Sequence, residues 1–242
     1  IKQVLRPFAK LFATDYVACT KHAGKWMFGK KDLKNGKVFI LNNAIDLDKF
    51  KYDEKIRKQK RKELKIDNDT LVIGHAGRFV QQKNHDYIVD IFNEIHKENK
   101  NSVLVLVGQG PLMDSIKDKV KNLNINDSVI FLGQRDDINE LYQTFDIFLF
   151  PSLYEGLGMV LIEAQVSGLS CYASTEVPKI AKVTENVDFL DLDCDPKIWA
   201  TLILNHDDEN KRKNYIDEIS SKGYNIKIEN KRLEDYYLNK IN

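Results

Sequence analysis

Residues 71–190 predict an α/β fold, a parallel sheet with helices on both of its faces. Two observations carry the prediction. Short apolar runs of strand length alternate with longer amphipathic stretches. Those runs are apolar throughout rather than at every second position, as strands covered on both faces must be. Right-handed crossovers then bring the loops after each strand to one edge of the sheet, where ligands of such sheets bind.

Taken in order, residues 1–12 place Ile1, Val4, Leu5, Phe8, Leu11 and Phe12 on one helical face, with Lys2, Arg6 and Lys10 opposite and Pro7 interrupting. That face suits an ordinary packed helix or one lying on a membrane surface. A strand at 16–19, a helix at 21–28 and a strand at 37–41 follow. Residues 42–46 read as a turn, and the charged stretch 52–65 as a helix. Further strands are expected at 71–75, 103–107, 129–132, 147–150, 170–173 and 187–190. Helices are expected at 84–99, 112–123, 136–145 and 159–167. The last third reads as helical at 196–205, 208–221 and 229–239.

The 242 residues suffice for one large domain or one domain plus part of another, and Ile1 in place of Met suggests a fragment. With 43% hydrophobic and 30% charged residues the composition is that of a soluble globular protein. No apolar run approaches a membrane span and no secretory signal is visible, which points to the cytoplasm. Cys19, Cys171 and Cys194 have no metal-ligand spacing, and the five histidines do not pair at i, i+4, so no metal site is expected. Residues 1–65 hold 18 Lys/Arg against seven Asp/Glu, and the remainder is net acidic. Such a basic front end suits phosphates, on anionic lipids or on a phosphorylated acceptor, and equally a solvated lysine-rich surface. It lacks the interleaved aromatics of a nucleic-acid platform.

Two loops carry the chemistry. In DIFLFPSLYEGLGMVLIEAQVSG, from Asp146 to Gly168, an apolar strand ends at Pro151, a loop bears Gly156 and Gly158, and a helix opens at Met159. Free N–H groups at a helix start attract anions, and glycine lets the backbone approach a ligand. Glu155 and Glu163 flank the turn roughly 10 Å or more apart, too far for a glycosidase pair at about 5 Å. They suit the two ends of one extended ligand. In GHAGRFVQQKNHD, Gly77 gives room while Arg78 and Lys83 bring two cations to a strand end, a pairing suited to phosphate oxygens. Taken singly, each of these charged residues is more often surface decoration. Gly108-Gln109-Gly110-Pro111-Leu112-Met113 is a near miss to the dinucleotide fingerprint, with Met113 in place of the third glycine.

YEGLGMVLIE resembles the E-x7-E signature of retaining family 4 glycosyltransferases, and GRFVQQKN resembles their second, diphosphate-binding motif. The likeness extends from about Ala18 to Leu238 and is nearest to bacterial capsular and exopolysaccharide transferases. It implies the Rossmann-like C-terminal domain of a GT-B fold with most of the N-terminal domain missing. Residues 1–45 would be the remnant of the acceptor domain, 46–222 the nucleotide-sugar donor domain, and 223–242 a helix returning toward the N-terminal domain. The resemblance implies catalytic roles for Glu155, Arg78 and Lys83. Donor contacts would fall at Gly77, Arg78, Lys83, Gln134, Arg135, Glu155, Gly156, Leu157, Gly158, Met159, Val160 and Glu163. Gln134 and Arg135 would lie on the nucleobase side. It further implies a nucleotide-diphosphate sugar as donor, no cofactor or metal, and a glycan or lipid-linked acceptor selected by the missing domain. ASTEVPKIA after Gly168 departs from the family's glycine-rich loop. An epimerase of the same architecture and a non-catalytic partner docking on a membrane or complex stay open as alternatives.

Overall fold

The structure, a computed structural model, describes residues 8, 10–205 and 212–241. It divides into two units, residues 1–46 with 219–242, and residues 47–218. The membrane-surface or packed helix expected over residues 1–12 lies mostly outside the described residues, and Phe8, Leu11 and Phe12 are exposed.

In the first unit, strands β1 (Tyr16–Ala18) and β2 (Val38–Ile40) pair in parallel. Between them run helices α1 (Lys21–Phe28), capped by the Thr20 hydroxyl, and α2 (Lys30–Lys34).

The second unit begins with α3 (Leu47–Phe50) and α4 (Glu54–Glu63). Strand β3 (Leu71–Ala76) leads to α5 (His85–Glu98), and β4 (Ser102–Val107) to α6 (Met113–Asn122). Then come β5 (Val129–Gly133), α7 (Ile138–Thr144), β6 (Ile147–Phe150) and α8 (Met159–Val166). Strands β7 (Ser170–Ser174) and β8 (Val187–Leu190) complete a six-stranded sheet, followed by α9 (Pro196–Leu204) and α10 (Ile216–Ser221). The long α11 (Ile226–Ile241) belongs to the first unit. There Glu229 accepts from the Asn42 amide at 3.1 Å, and Tyr236 stacks on Phe39 at 4.3 Å.

The sheet order is β5-β4-β3-β6-β7-β8, every pair parallel. The α/β expectation holds, and strand ends differ from the sequence reading by a residue or so. Side chains alternate between two cores, as the strand period of two requires. Ile73, Leu104, Leu106, Ile147 and Leu149 face the core shared with α5, α6 and α9. Val72, Val105, Val107, Phe148 and Phe150 face the core shared with α7 and α8. Gly74 is obligatory where β3 crosses α7, because a Cβ there would lie 2.1 Å from the Phe145 ring.

The helix expected over 52–65 is present as α4, its start set by the Asp53 carboxylate, which accepts from the Lys55 and Ile56 amides. One expectation fails. The helix expected over 208–221 is confined, among the described residues, to α10. Residues 212–215 have no regular secondary structure, and Arg212 there donates to the carbonyls of Ser167, Tyr142 and Gln143. Helix α2 over residues 30–34 had no counterpart among the elements expected from the sequence.

Helix α4 turns its cations inward. Arg61, 1% exposed, donates to the carbonyls of Thr144, Asp67, Asn68 and Thr70 and pairs with Asp146 at 2.7 Å. Arg57 donates to the carbonyls at the α7 C-terminus and meets the other Asp146 oxygen at 2.5 Å. These guanidiniums satisfy carbonyls that the helix end leaves open and oppose its negative dipole end. Arg61→Met should therefore leave Asp146 and four carbonyls short of donors and cost about 3–5 kcal/mol in urea denaturation.

Two histidines are also buried. His75 donates from Nδ1 to the Leu149 carbonyl at 2.8 Å, and His85 at the start of α5 is 2% exposed. Burial pulls the His85 imidazole from 6.5 down to about 4 and lowers His75 well below its ordinary value. The unfolded chain thus takes up the proton first. Stability should be intact above pH 6.5 and fall as pH drops toward 4, with about 3 kcal/mol from His85. Urea denaturation of His85→Phe across pH 4–8 should show a shallower acid limb than the parent chain.

Candidate functional site

Strand order reverses between β3 and β6: the chain proceeds from β3 outward to β4 and β5, then returns to the other side of β3. The crevice beyond the carboxyl ends of these two strands is where a parallel sheet of this kind receives a ligand. The loops of residues 77–84 and 151–158 flank it.

The loops meet in several contacts. Lys83 Nζ lies 2.6 Å from Glu155 Oε1, with the side chains only 15% and 8% exposed. The Leu153 amide donates to the Gln82 carbonyl at 2.8 Å, and Gln82 Nε2 to the Tyr154 carbonyl at 2.9 Å. Asn84 Nδ2 donates to the Pro151 carbonyl at 3.2 Å. Lys83 Nζ also sits 4.7 Å from the Phe150 ring centroid, a favourable place for a cation. Residues 72 positions apart in the chain are thus fastened across the seam of the sheet.

Helix α8 opens from Gly158, whose φ of 80° is left-handed, and no side chain among the described residues caps it. Glycine is needed there, since its conformation disfavours any L side chain and a Cβ would meet Phe150 at 3.1 Å. The first amides of the helix are Met159 and Val160, the usual donors to an anion. Gly156 and Leu157 complete the turn. Glu163, half-buried one turn on, accepts from the Tyr142 hydroxyl at 3.0 Å. Burial pushes its carboxyl above the ordinary range, and the Tyr142 hydrogen bond opposes that shift.

Arg78 is exposed and lines an open recess of about 580 Å³ together with Gly108, Gln109, Gly110, Pro111 and Gln134. The structure gives the two glycines of the near-miss fingerprint a different task. A Cβ on Gly108 would lie 2.1 Å from the Gly77 carbonyl oxygen, and one on Gly110 2.4 Å from that of Phe79. The loops press backbone to backbone there, with the Gly77 amide donating to Val107 and the Phe79 amide to Gln109.

Of the residues singled out from sequence, Lys83 and Glu155 meet directly, and Arg78 and Gln134 share one recess. The guanidinium of Arg135, expected on the nucleobase side, grips both oxygens of Asp137 at 2.7 and 2.8 Å and reaches Glu63. With Lys60 it holds the Asp137 carboxyl well below the usual range. Its side chain therefore fastens α7 to α4 and is not among those lining the recess. Sequence reasoning missed Gln82, Asn84, Tyr142 and Phe150, which anchor the named residues, because their partners are distant in the chain. Among the described residues, no three His, Cys, Asp or Glu side chains cluster as a metal would require.

The family described as glycosyl transferases group 1 matches residues 56–218. EpsF of Bacillus subtilis (strain 168), named as a glycosyltransferase, is 38% identical over 176 residues, 73% of this chain and 44% of that protein. The capsular polysaccharide biosynthesis glycosyltransferase CapM of Staphylococcus aureus is 29% identical over 191 residues, 76% of this chain and 48% of that protein. The chain spans less than half the length of these two relatives. Among solved structures, Anabaena Alr3699/HepE in complex with UDP and glucose aligns with a TM-score of 0.78 at 19% identity, covering 97% of this chain and 66% of that one. That likeness establishes the fold, a Rossmann-like domain of the GT-B type. With a match that takes in nearly all of the six-stranded unit and both loops of the crevice, the chain belongs to the group 1 glycosyltransferases.

Proposed function

We propose that this chain is the donor-binding half of a retaining, family 4 glycosyltransferase that transfers a sugar from a nucleoside-diphosphate sugar to a glycan or lipid-linked acceptor in polysaccharide synthesis. The observation that carries the reading is the Lys83–Glu155 contact across the crevice, beside an uncapped helix start. The UDP bound to the HepE structural neighbour suggests the ligand class, and the relatives favour transfer over the epimerase alternative.

In this reading the bond between the anomeric carbon and the diphosphate oxygen breaks, the acceptor hydroxyl oxygen bonds to that carbon on the same face of the sugar, and its proton passes to the departing diphosphate oxygen. Negative charge grows on the departing diphosphate. Arg78, Lys83 and the amides from Gly156 to Val160 meet it, a role open to fixed cations and dipoles in a partly dry site. Glu163 accepts from ribose hydroxyls, its position set by Tyr142. Glu155 holds the sugar near its reacting carbon. A metal is not required by this scheme, because two cations and a helix end supply the positive charge. The 1–45 and 223–242 segments would belong to the acceptor side, and a peripheral membrane contact through the basic front end would bring a lipid-linked acceptor near. No described helix is long and apolar enough to cross a membrane.

Calorimetry with UDP and GDP tests the clamp. Arg78→Ala with Lys83→Ala should weaken binding by about 1.5–3 kcal/mol per lost charge, and unchanged affinity would sink the assignment. Glu155→Gln separates binding from chemistry. It releases Lys83 for phosphate, so UDP should bind several-fold tighter, about 1 kcal/mol, while sugar transfer falls sharply. A weaker complex in that variant would mean that Glu155 and the diphosphate do not compete for the ammonium.

A further inference from the structure

The loop that bears Arg78 and Lys83 is bracketed by two histidines that the transfer reaction does not use. His75 closes β3 and His85 opens α5, so the rings stand at the two ends of the loop. They meet edge to face with centroids 4.8 Å apart. His85 stacks on Phe79 at 3.9 Å and 20°, and Phe79, the residue after Arg78, is fully buried. On the other side of Arg78, a Cβ on Gly77 would lie 2.8 Å from His75 Nε2 and 3.3 Å from Lys83 Cγ and Cδ. Phe79 and Gly77 thus lie against this pair of rings, and the Lys83 stem lies against Gly77.

The residue type is informative. Because His75 Nδ1 faces a carbonyl, which only accepts, Nδ1 carries the hydrogen and Nε2 is a bare lone pair. That atom and both ring nitrogens of His85 are buried without a hydrogen-bond partner among the described residues. Each such group is unfavourable in a core, and an apolar ring in either place would avoid it. What the His85 position supplies to the loop is therefore a flat ring face rather than a hydrogen bond.

We propose that His85, supported edge-on by His75, is a positioning residue of the donor crevice: its stack on Phe79 sets the direction in which Arg78 and Lys83 present their charges to a diphosphate. The inference rests on the donor reading of the crevice. The groups facing the pair are Lys83 from the loop, whose charge further disfavours protonation of both rings, and the aromatic rings of Phe148 and Phe150 from β6, near His75. Both rings are therefore neutral when Lys83 is charged, and the cations of the loop are not repelled from their seat.

The test uses His85→Gln, His85→Phe and Phe79→Leu in the full chain, with UDP as the probe in calorimetry. Loss of the ring stack in His85→Gln and Phe79→Leu should weaken UDP binding about tenfold, since small misplacements of charged groups are expensive. His85→Phe keeps the stack and should bind within about twofold of the parent. Folded His85→Gln or Phe79→Leu protein with parental affinity overturns the proposal, as does an equal loss in His85→Phe. Hydrogen exchange probes the seat with no ligand present. The Phe79 and Lys83 amides, bonded to Gln109 and Val80, should exchange about tenfold faster in His85→Gln while β4 amides do not change. Unaltered loop exchange overturns the seat even where UDP does not bind. Parental protein that binds no nucleoside diphosphate, with the exchange result intact, defeats the donor reading alone.

Discussion

The crevice depends on one charged contact made across the seam between β3 and β6. Lys83 and Glu155 are each almost out of water, and either left alone there would be costly. Paired, each supplies the other's counter-charge. A buried pair of this kind adds little stability over an apolar alternative, so what it supplies is geometry. It sets the separation of two loops that share no strand pairing, and it holds a cation at the mouth of the crevice with its counter-charge supplied by the protein. In the proposed reaction the diphosphate enters as a competitor for that ammonium, and the displaced carboxylate is left beside the sugar.

Around the pair, close backbone approach replaces side-chain bulk. Gly108 and Gly110 let the turn after β4 lie directly on the loop after β3, and Gly158 lets the start of α8 pass over Phe150. The result is a rim made of amides and carbonyls whose positions are set by the sheet below. The cations on that rim then need little freedom of their own, which lowers the cost of ordering them around a ligand.

The sheet was legible in the sequence because each strand is a continuous apolar run, and a strand buried on both faces cannot be written otherwise. The loop glycines and the Arg78, Lys83, Glu155 and Glu163 set were legible because their spacing is local. Long-range pairing was not. Nothing in the letters EKIRKQKRKE says that Arg57, Lys60 and Arg61 point inward, because their partners Asp137 and Asp146 lie 77 to 89 positions away. The Arg135–Asp137 pair is local, two residues apart, and what the letters did not show is its reach to Glu63 on α4, 72 positions away. The histidine seat was hidden differently. Its signal, one histidine at each end of a single loop, is weak until the loop is known to fold back on itself.

The inward turn of α4 changes what the basic front end means. Residues 1–65 carry a large excess of positive charge, which alone suggests attraction to phosphates. Yet Arg57, Lys60 and Arg61 are occupied by carboxylates and helix carbonyls inside the six-stranded unit, so part of that excess is a fastening rather than a field. The crevice itself belongs to the stretch that is net acidic, residues 66–242, with 19 Lys/Arg against 29 Asp/Glu. A polyanion would gain nothing there from long-range attraction, which salt screens beyond about 8 Å in any case. In the proposed reading its binding comes from groups in contact with it: Arg78, Lys83 and the open end of α8. Affinity at such a site follows the orientation of a few donors rather than net charge, which is why the proposed donor reading gives weight to the packing beneath Arg78 and Lys83 as well as to the two cations.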